Sequence, residues 1–240
     1  PGIRDSLSAE GVDLIVQPAA NRRRRLLLAD MDSTMIRQEC VDELAAAAGI
    51  GDRVAAITAR AMNGELDFEA ALTERVALLQ GLPEATVAEV LETRITMMPG
   101  GATLVATMRA HGAYTALVSG GFTAFTAAIA GRLGFDEHRA NRLLVEGGTL
   151  TGRVARPILG REAKVAALDE LTAKLGLADD EVLAIGDGAN DLGMLQRAGL
   201  GVAVHAKPAV QAQAGHAVNH GDLTALLYAQ GYSRADLVTP

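Results

Sequence analysis

The sequence predicts an α/β fold: a doubly wound, Rossmann-like parallel sheet that carries a helical cap insertion and a small β-hairpin. Three features of the chain lead there. Short apolar runs bounded by Gly or Asp alternate with segments of helical spacing, the pattern of a parallel sheet covered on both faces. The stretch 38–98, between the first apolar run and the second, has helical spacing throughout and no strand signal. Gly147-Gly148 separates two short apolar segments, 143–145 and 149–151, in the manner of a hairpin.

Residues 1–25 form a lead-in segment, with 11–18 expected as an isolated edge strand. The chain opens on Pro1 rather than methionine, so the segment is read as the remnant of a longer chain. The arginines at 22–25 precede the first apolar run and are expected as a solvated linker or strand lead-in, not as a patch for phosphate. Buried strands are predicted at Leu26-Leu27-Leu28-Ala29, Tyr114-Thr115-Ala116-Leu117-Val118, Val182-Leu183-Ala184-Ile185 and Leu200-Gly201-Val202-Ala203-Val204. Helices are predicted over 102–110 and 164–175. The Ala- and Glu-rich insertion is punctuated by Gly49, Asn63-Gly64 and Gly81-Leu82-Pro83. The core therefore takes 26–37 and 99–240, and the cap takes 38–98.

Hydrophobic residues make up 49% of the 240 and charged residues 21%, which supplies a large core and excludes disorder. A net charge of −7 excludes a nucleic-acid surface, which needs clustered Lys and Arg. The single cysteine, Cys40, excludes an internal disulfide framework, fits a reducing compartment, and is expected as a buried, inert thiol. The longest uncharged tract, 112–131, contains Ser119-Gly120-Gly121 and several threonines, so it reads as strand, turn and helix rather than a membrane span. With no secretory signal visible, a cytoplasmic setting without membrane partners is expected.

The chemistry gathers at three strand ends. The first strand runs into Asp30-Met31-Asp32-Ser33-Thr34, the second into Ser119-Gly120-Gly121, and a later one into Gly186-Asp187-Gly188-Ala189-Asn190-Asp191. In an open parallel sheet, ligands collect at the carboxyl ends of the strands. Alone, Asp-x-Asp after a strand is as readily a helix cap, and Ser-Gly-Gly is commonly a tight turn. Together, Asp30, Asp32, Asp187 and Asp191 in one crevice are costly without a cation, and all-oxygen ligands suit Mg²⁺ rather than zinc. Only three of the 22 basic residues are lysines. Lys164, near the start of a helix, is a candidate compact charge for the site, whereas Lys174 and Lys207 are expected at the surface.

These four motifs, in this order and spacing, resemble the haloacid-dehalogenase-like phosphatase superfamily, from about Leu26 to Tyr228. The resemblance implies that Asp30 attacks phosphorus and that Asp32 acts as acid and then base. It implies a Mg²⁺ on Asp30, the Asp32 carbonyl and Asp187, with Asp191 supporting through water. Ser119, Lys164 and amides near Gly120 would hold the phosphoryl oxygens, and Asn190 belongs to the same site. Within the superfamily, Asp32-Ser33-Thr34, the insertion and the segment 66–76 resemble the branch that hydrolyses O-phosphoserine in the last step of serine synthesis. That branch implies Glu39 for the substrate ammonium, Arg75 for its carboxylate, and Met62 and Phe68 on the apolar underside of a lid. Ala71 departs from the branch, where serine is frequent. Two alternatives stay open. They are a related phosphatase or phosphotransferase for phosphohomoserine or phosphothreonine, and a phospho-accepting receiver domain. The partner expected is a small phosphomonoester, and no oligomeric state is legible.

Overall fold

A computed structural model describes residues 2–62 and 65–240 of the chain. The order of elements is α1 (Gly2–Ala9), β1 (Leu26–Ala29), α2 (Cys40–Ala47), α3 (Gly51–Met62), α4 (Phe68–Ala77), α5 (Ala85–Thr93), α6 (Gly101–Ala110), β2 (Tyr114–Phe122), α7 (Thr123–Leu133) and β3 (Glu137–Asn141). It continues with β4 (Leu143–Glu146), β5 (Thr149–Val154), α8 (Arg161–Leu175), β6 (Val182–Gly186), α9 (Leu192–Arg197), β7 (Leu200–Val204), α10 (Pro208–Ala214), β8 (His216–Val218) and α11 (Ala225–Ala229). Six strands pair in the order β3-β2-β1-β6-β7-β8, every pair parallel, and β4 and β5 form a separate antiparallel hairpin.

The central strands β1, β6 and β7 are apolar at every position because both faces are covered. Side chains alternate across the sheet. Leu27, Ala29, Leu183, Ile185, Val202 and Val204 pack with Leu104 and Met108 of α6, Phe125 and Ile129 of α7, and Leu226 and Leu227 of α11. Their neighbours Leu26, Leu28, Val182, Ala184 and Ala203 pack on the other face with Leu168 and Leu171 of α8, Leu195 of α9 and Val210 of α10. Among the described residues no helix is long and apolar enough to cross a membrane.

Helices α2–α5 lie between β1 and α6 in the chain and rest on a paired stem. Ile36 and Met97 form an antiparallel bridge, the Arg37 amide donates to the Thr96 carbonyl at 2.9 Å, and the Met98 amide donates to the Met35 carbonyl at 2.9 Å. The hairpin docks on this segment: the Gly81 amide donates to the Leu150 carbonyl, and the Leu150 amide to the Leu82 carbonyl, each at 2.8 Å. Just past the stem, Gly100 has φ +79, and a Cβ there would lie 2.7 Å from the Thr224 amide nitrogen. Only glycine suits that backbone and that approach.

The structure corrects the reading of the first 25 residues. No strand forms over 11–18; a helix, α1, precedes an extended segment with no ladder. Side chains tether that segment instead, chiefly the Asp13 carboxylate, which accepts from the Asn219, His220 and Gly221 amides. The arginine cluster is a strand lead-in but is not uniformly solvated. Arg24 is buried, with its guanidinium donating to the Asn21 and Asp180 carbonyls and to Gln17 Oε1. Lys174 and Lys207 are exposed, as expected.

The two edge strands carried no signal because β3 reads Glu-His-Arg-Ala-Asn and β8 is three residues long. A further difference is the length of β2, which runs on through Ser119-Gly120-Gly121 to Phe122, with a register shift against β3 after Val118.

Candidate active site

Parallel pairing of β1 with β6, with Ala29 opposite Ile185, brings two polar strand ends side by side. Asp30 follows β1 and its amide continues the ladder to the Ile185 carbonyl at 3.0 Å. Asp187 follows β6, and the short turn after it returns Asp191 beneath the same crevice. One oxygen from each of Asp30, Asp187 and Asp191 lies within 4.8 Å of the others. Lys164, in the first turn of α8, is 2% exposed, and its Nζ lies 2.7 Å from Asp30 Oδ1 and 2.5 Å from Asp191 Oδ1.

The electrostatics follow from this crowding. Burial raises the Asp30 carboxyl well above its usual range, with the Asp191 charge adding and Lys164 opposing. Burial, then Asp191, pushes Asp187 up to about 7. Burial alone would lower the Lys164 ammonium, but Asp30 and Asp191 outweigh it and raise the group. Two buried carboxylates and a partly buried one, against one ammonium, leave excess negative charge carried by hard oxygen donors. That donor set fits a small divalent cation of the Mg²⁺ class.

Asp32 sits two residues on with a separate set of partners. Its Oδ1 accepts from the Cys40 amide at 3.0 Å and its Oδ2 from the Ser119 hydroxyl at 3.4 Å. Burial, then the Glu39 charge, pushes it up to about 6, so it exchanges a proton near neutral pH. Ser119 Oγ in turn accepts from the Gly121 amide at 2.8 Å. The glycines here allow close approach. A Cβ on Gly121 would lie 2.8 Å from Asp32 Oδ2, and one on Gly120 3.1 Å from Phe68 Cζ. Cys40 is buried and its thiol is raised by burial and the Asp32 charge, which makes it inert as expected.

These groups open onto a cavity of about 180 Å³. Of the residues singled out in the sequence, Asp30, Asp32, Glu39, Phe68, Arg75, Ser119, Gly120, Asp187 and Asn190 line it. Lys164 and Asp191 are absent from its wall and bind each other behind Asp30. Met62 closes α3, and its side chain lies outside the described residues. Glu39 stands at the start of α2 and accepts from the Ser33 hydroxyl at 2.7 Å. Arg75 is half-buried; burial lowers its guanidinium, opposed by the nearby charges of Asp42, Glu39 and Asp32. Ala71 is buried beside it, and its carbonyl accepts from Arg75 Nε at 3.3 Å.

Gly121 and Gly188, quoted in the strand-end motifs but given no role, also line the cavity, and sequence reasoning missed Val41, Leu72 and Phe122 on its wall. For Leu72 a signal existed: spacings of four and three put Phe68, Leu72 and Arg75 on one face of α4. It quoted Thr34 in a motif without a role and missed Asn141: the Thr34 hydroxyl donates to Asp187 Oδ1 at 3.0 Å, and the Asn141 amide to the Gly120 carbonyl at 2.9 Å.

Comparison with known proteins agrees with this geometry. Residues 27–196 match the haloacid dehalogenase-like hydrolase family. A phosphoserine phosphatase of Streptomyces coelicolor is 44% identical over 98% of this chain and 58% of its own length. One of Albidiferax ferrireducens is 48% identical over 85% of this chain and 88% of its own. A solved structure described as a phospho-aspartyl intermediate analogue of phosphoserine phosphatase superposes with a TM-score of 0.79. It is 38% identical, over 86% of this chain and 98% of that one. The chain spans 58%, 63% and 64% of the first three curated relatives it matches. On the extent of these matches, the chain belongs to the haloacid dehalogenase-like hydrolase family.

Proposed function

We propose that this chain hydrolyses O-phosphoserine to serine and phosphate, through an aspartyl phosphate on Asp30 and with Mg²⁺ as cofactor. The observation that carries the reading is the convergence of Asp30, Asp32, Glu39 and Arg75 on one small cavity. A phosphate needs a nucleophile and an acid; an amino acid needs one anion and one cation. The names of the similar proteins support the same substrate, and that of the similar solved structure supports the same intermediate.

In this reading an Asp30 oxygen attacks phosphorus in line while the bond from phosphorus to the serine oxygen breaks. The Asp32 carboxyl gives its proton to that leaving oxygen. Water then attacks the acyl phosphate, passes a proton to Asp32, and frees phosphate and the Asp30 carboxylate. Splitting the hydrolysis in two lowers each barrier. Asp30, the Asp32 carbonyl and Asp187 would hold the metal, with Asp191 in support. When bound, Mg²⁺ supplies positive charge that offsets repulsion between a carboxylate and a phosphate dianion. Ser119 and the amides around Gly120 receive the phosphoryl oxygens, beside Asn190. Lys164 favours the ionised form of Asp30 against burial and adds positive charge behind it.

Glu39 takes the substrate ammonium and Arg75 its carboxylate, a charge-assisted contact suited to the guanidinium fork. Helices α2–α5, residues 38–98 with their stem, act as a lid whose apolar underside includes Phe68 and which excludes water. The reading carries with it a cytoplasmic setting in serine synthesis. The receiver-domain alternative finds no support: the family match covers 27–196, and Asp32 gives the site an acid that a phospho-acceptor does not need.

The test is phosphate release with Mg²⁺ from O-phosphoserine, phosphothreonine, phosphohomoserine and p-nitrophenyl phosphate in parallel. A clear preference in kcat/KM for phosphoserine, abolished by chelation, is expected. Equal rates across the panel would remove the substrate assignment and leave a general phosphatase.

A further inference from the structure

The three carboxylates that converge in the crevice are not oriented by one device: Lys164 holds two of them, and the third depends on another residue. Asp30 is held through Oδ1 by Lys164. Asp191 is held through Oδ1 by Lys164 and through Oδ2 by the Gly188 amide at 3.0 Å. Asp187 has neither. Among the described residues its one hydrogen-bond donor is the Thr34 hydroxyl, 3.0 Å from Oδ1, which leaves Oδ2 free.

Thr34 is placed for this by the turn after β1. The amides of Thr34, Met35 and Ile36 all donate to the Met31 carbonyl, at 3.3, 2.8 and 3.1 Å. Ser33, at φ 53, takes the left-handed conformation that bends the chain back on itself. The turn delivers Thr34, 0% exposed, to the end of a strand more than half the chain away. A buried hydroxyl without a partner is costly, and valine has the same shape without that cost, so the hydroxyl at this position has a specific partner to serve.

We infer that Thr34 is a positioning residue for the cation site: its hydroxyl fixes the Asp187 carboxylate so that one oxygen stays turned to the metal. The inference rests on the metal-dependent reading above. Hydrogen bonds to ligating carboxylates set their orientation, and losing one weakens metal binding by roughly 10-fold or more.

The experiment titrates Mn²⁺ alone into metal-free protein, follows the free-ion signal by electron paramagnetic resonance, and displaces it with Mg²⁺. It compares wild type, Thr34→Val and Thr34→Ser, with folding checked by far-UV circular dichroism. The expected result is a Kd for Mn²⁺ raised roughly 10-fold in Thr34→Val and near wild type in Thr34→Ser, which keeps the hydroxyl. Wild-type affinity in the valine variant would overturn the inference. So would equal weakening in the serine variant, which would assign the effect to the methyl group. Should Thr34→Val not fold, Thr34→Ala against Thr34→Ser makes the same comparison. A wild-type chain that binds no Mn²⁺ would overturn the cation reading itself, a result distinct from failure of the variants alone.

Discussion

Replacing Lys164 with methionine isolates the charge balance on which the site depends. The ammonium is 2% exposed and touches two carboxylates, one 7% and one 0% exposed, at 2.7 and 2.5 Å. Methionine keeps the length and apolar stem but leaves Asp30 and Asp191 with no cation. Breaking a buried ion pair from one side costs about 3–5 kcal/mol, because the remaining charge is stranded in a low-dielectric site. For a chain of this size that corresponds to a fall in Tm of roughly 6 to 20 °C. The sign of the pH dependence is fixed as well. In the variant the Asp30 carboxyl, already raised by burial and no longer opposed by Lys164, keeps a proton that the unfolded chain has released above its ordinary carboxylate range. The loss therefore shrinks as pH falls from neutral toward 5. Far-UV circular dichroism melts in EDTA measure it, since the chain has no tryptophan to report by fluorescence. A Tm within the error of wild type at pH 7.5, or a loss that grows on acidification, would refute the reasoning.

Other outcomes follow from the same geometry. Arg75→Ala should lower kcat/KM for phosphoserine by roughly 10- to 150-fold, the scale of one hydrogen bond to a charged group, and spare p-nitrophenyl phosphate; equal losses on both would make Arg75 structural. Gly121→Ala places a Cβ 2.8 Å from Asp32 Oδ2. Phosphate release should then fall by roughly 100-fold, the effect of misplacing a reacting group by about an ångström, with little change in Mn²⁺ affinity. Asp187 sits at about 7 rather than its ordinary 3.8 in the metal-free chain. The folded state therefore holds a proton the unfolded state has lost between those values, and the stability of the metal-free protein falls as pH rises through that window. Because the cation must displace that proton, Mg²⁺ affinity measured by calorimetry should weaken as pH drops below 7 and be accompanied by proton release above chelator controls.

The centre of the fold was legible because β1, β6 and β7 are buried on both faces and so are written as unbroken apolar runs. The edges were not. β3 is polar because its strand lies at the margin of the sheet, and a strand as short as β8 leaves no period to detect. The lead-in was misread for a related reason: Gly11 and Pro18 bound a segment of mixed polarity, and what fixes it is the Asp13 carboxylate on three amides some 200 residues away, a tertiary fact with no local trace.

At the site, the strand-end motifs that hold Asp30, Asp32, Ser119 and Asp187 come to one cavity, because parallel register carries neighbouring strand ends together. Lys164 was made a candidate by the scarcity of lysine and given a role only by the family resemblance, yet its place behind Asp30, bound to two carboxylates, depends on how α8 packs and is not written in the spacing. The role of Thr34, quoted only as part of a motif, and of Asn141, not noticed at all, could not be read because a hydroxyl or amide beside a motif looks like any turn residue until its long-range partner is known.

The central claim is that Asp30 itself becomes phosphorylated. Rapid acid quench of the Mg²⁺-loaded chain turning over radiolabelled phosphoserine, followed by borohydride trapping and peptide mass spectrometry, reads this directly. Label and reduction product at Asp30, absent from Asp30→Asn, are the expected result. A turning-over enzyme that carries no acyl phosphate, or carries it on another residue, contradicts the mechanism outright.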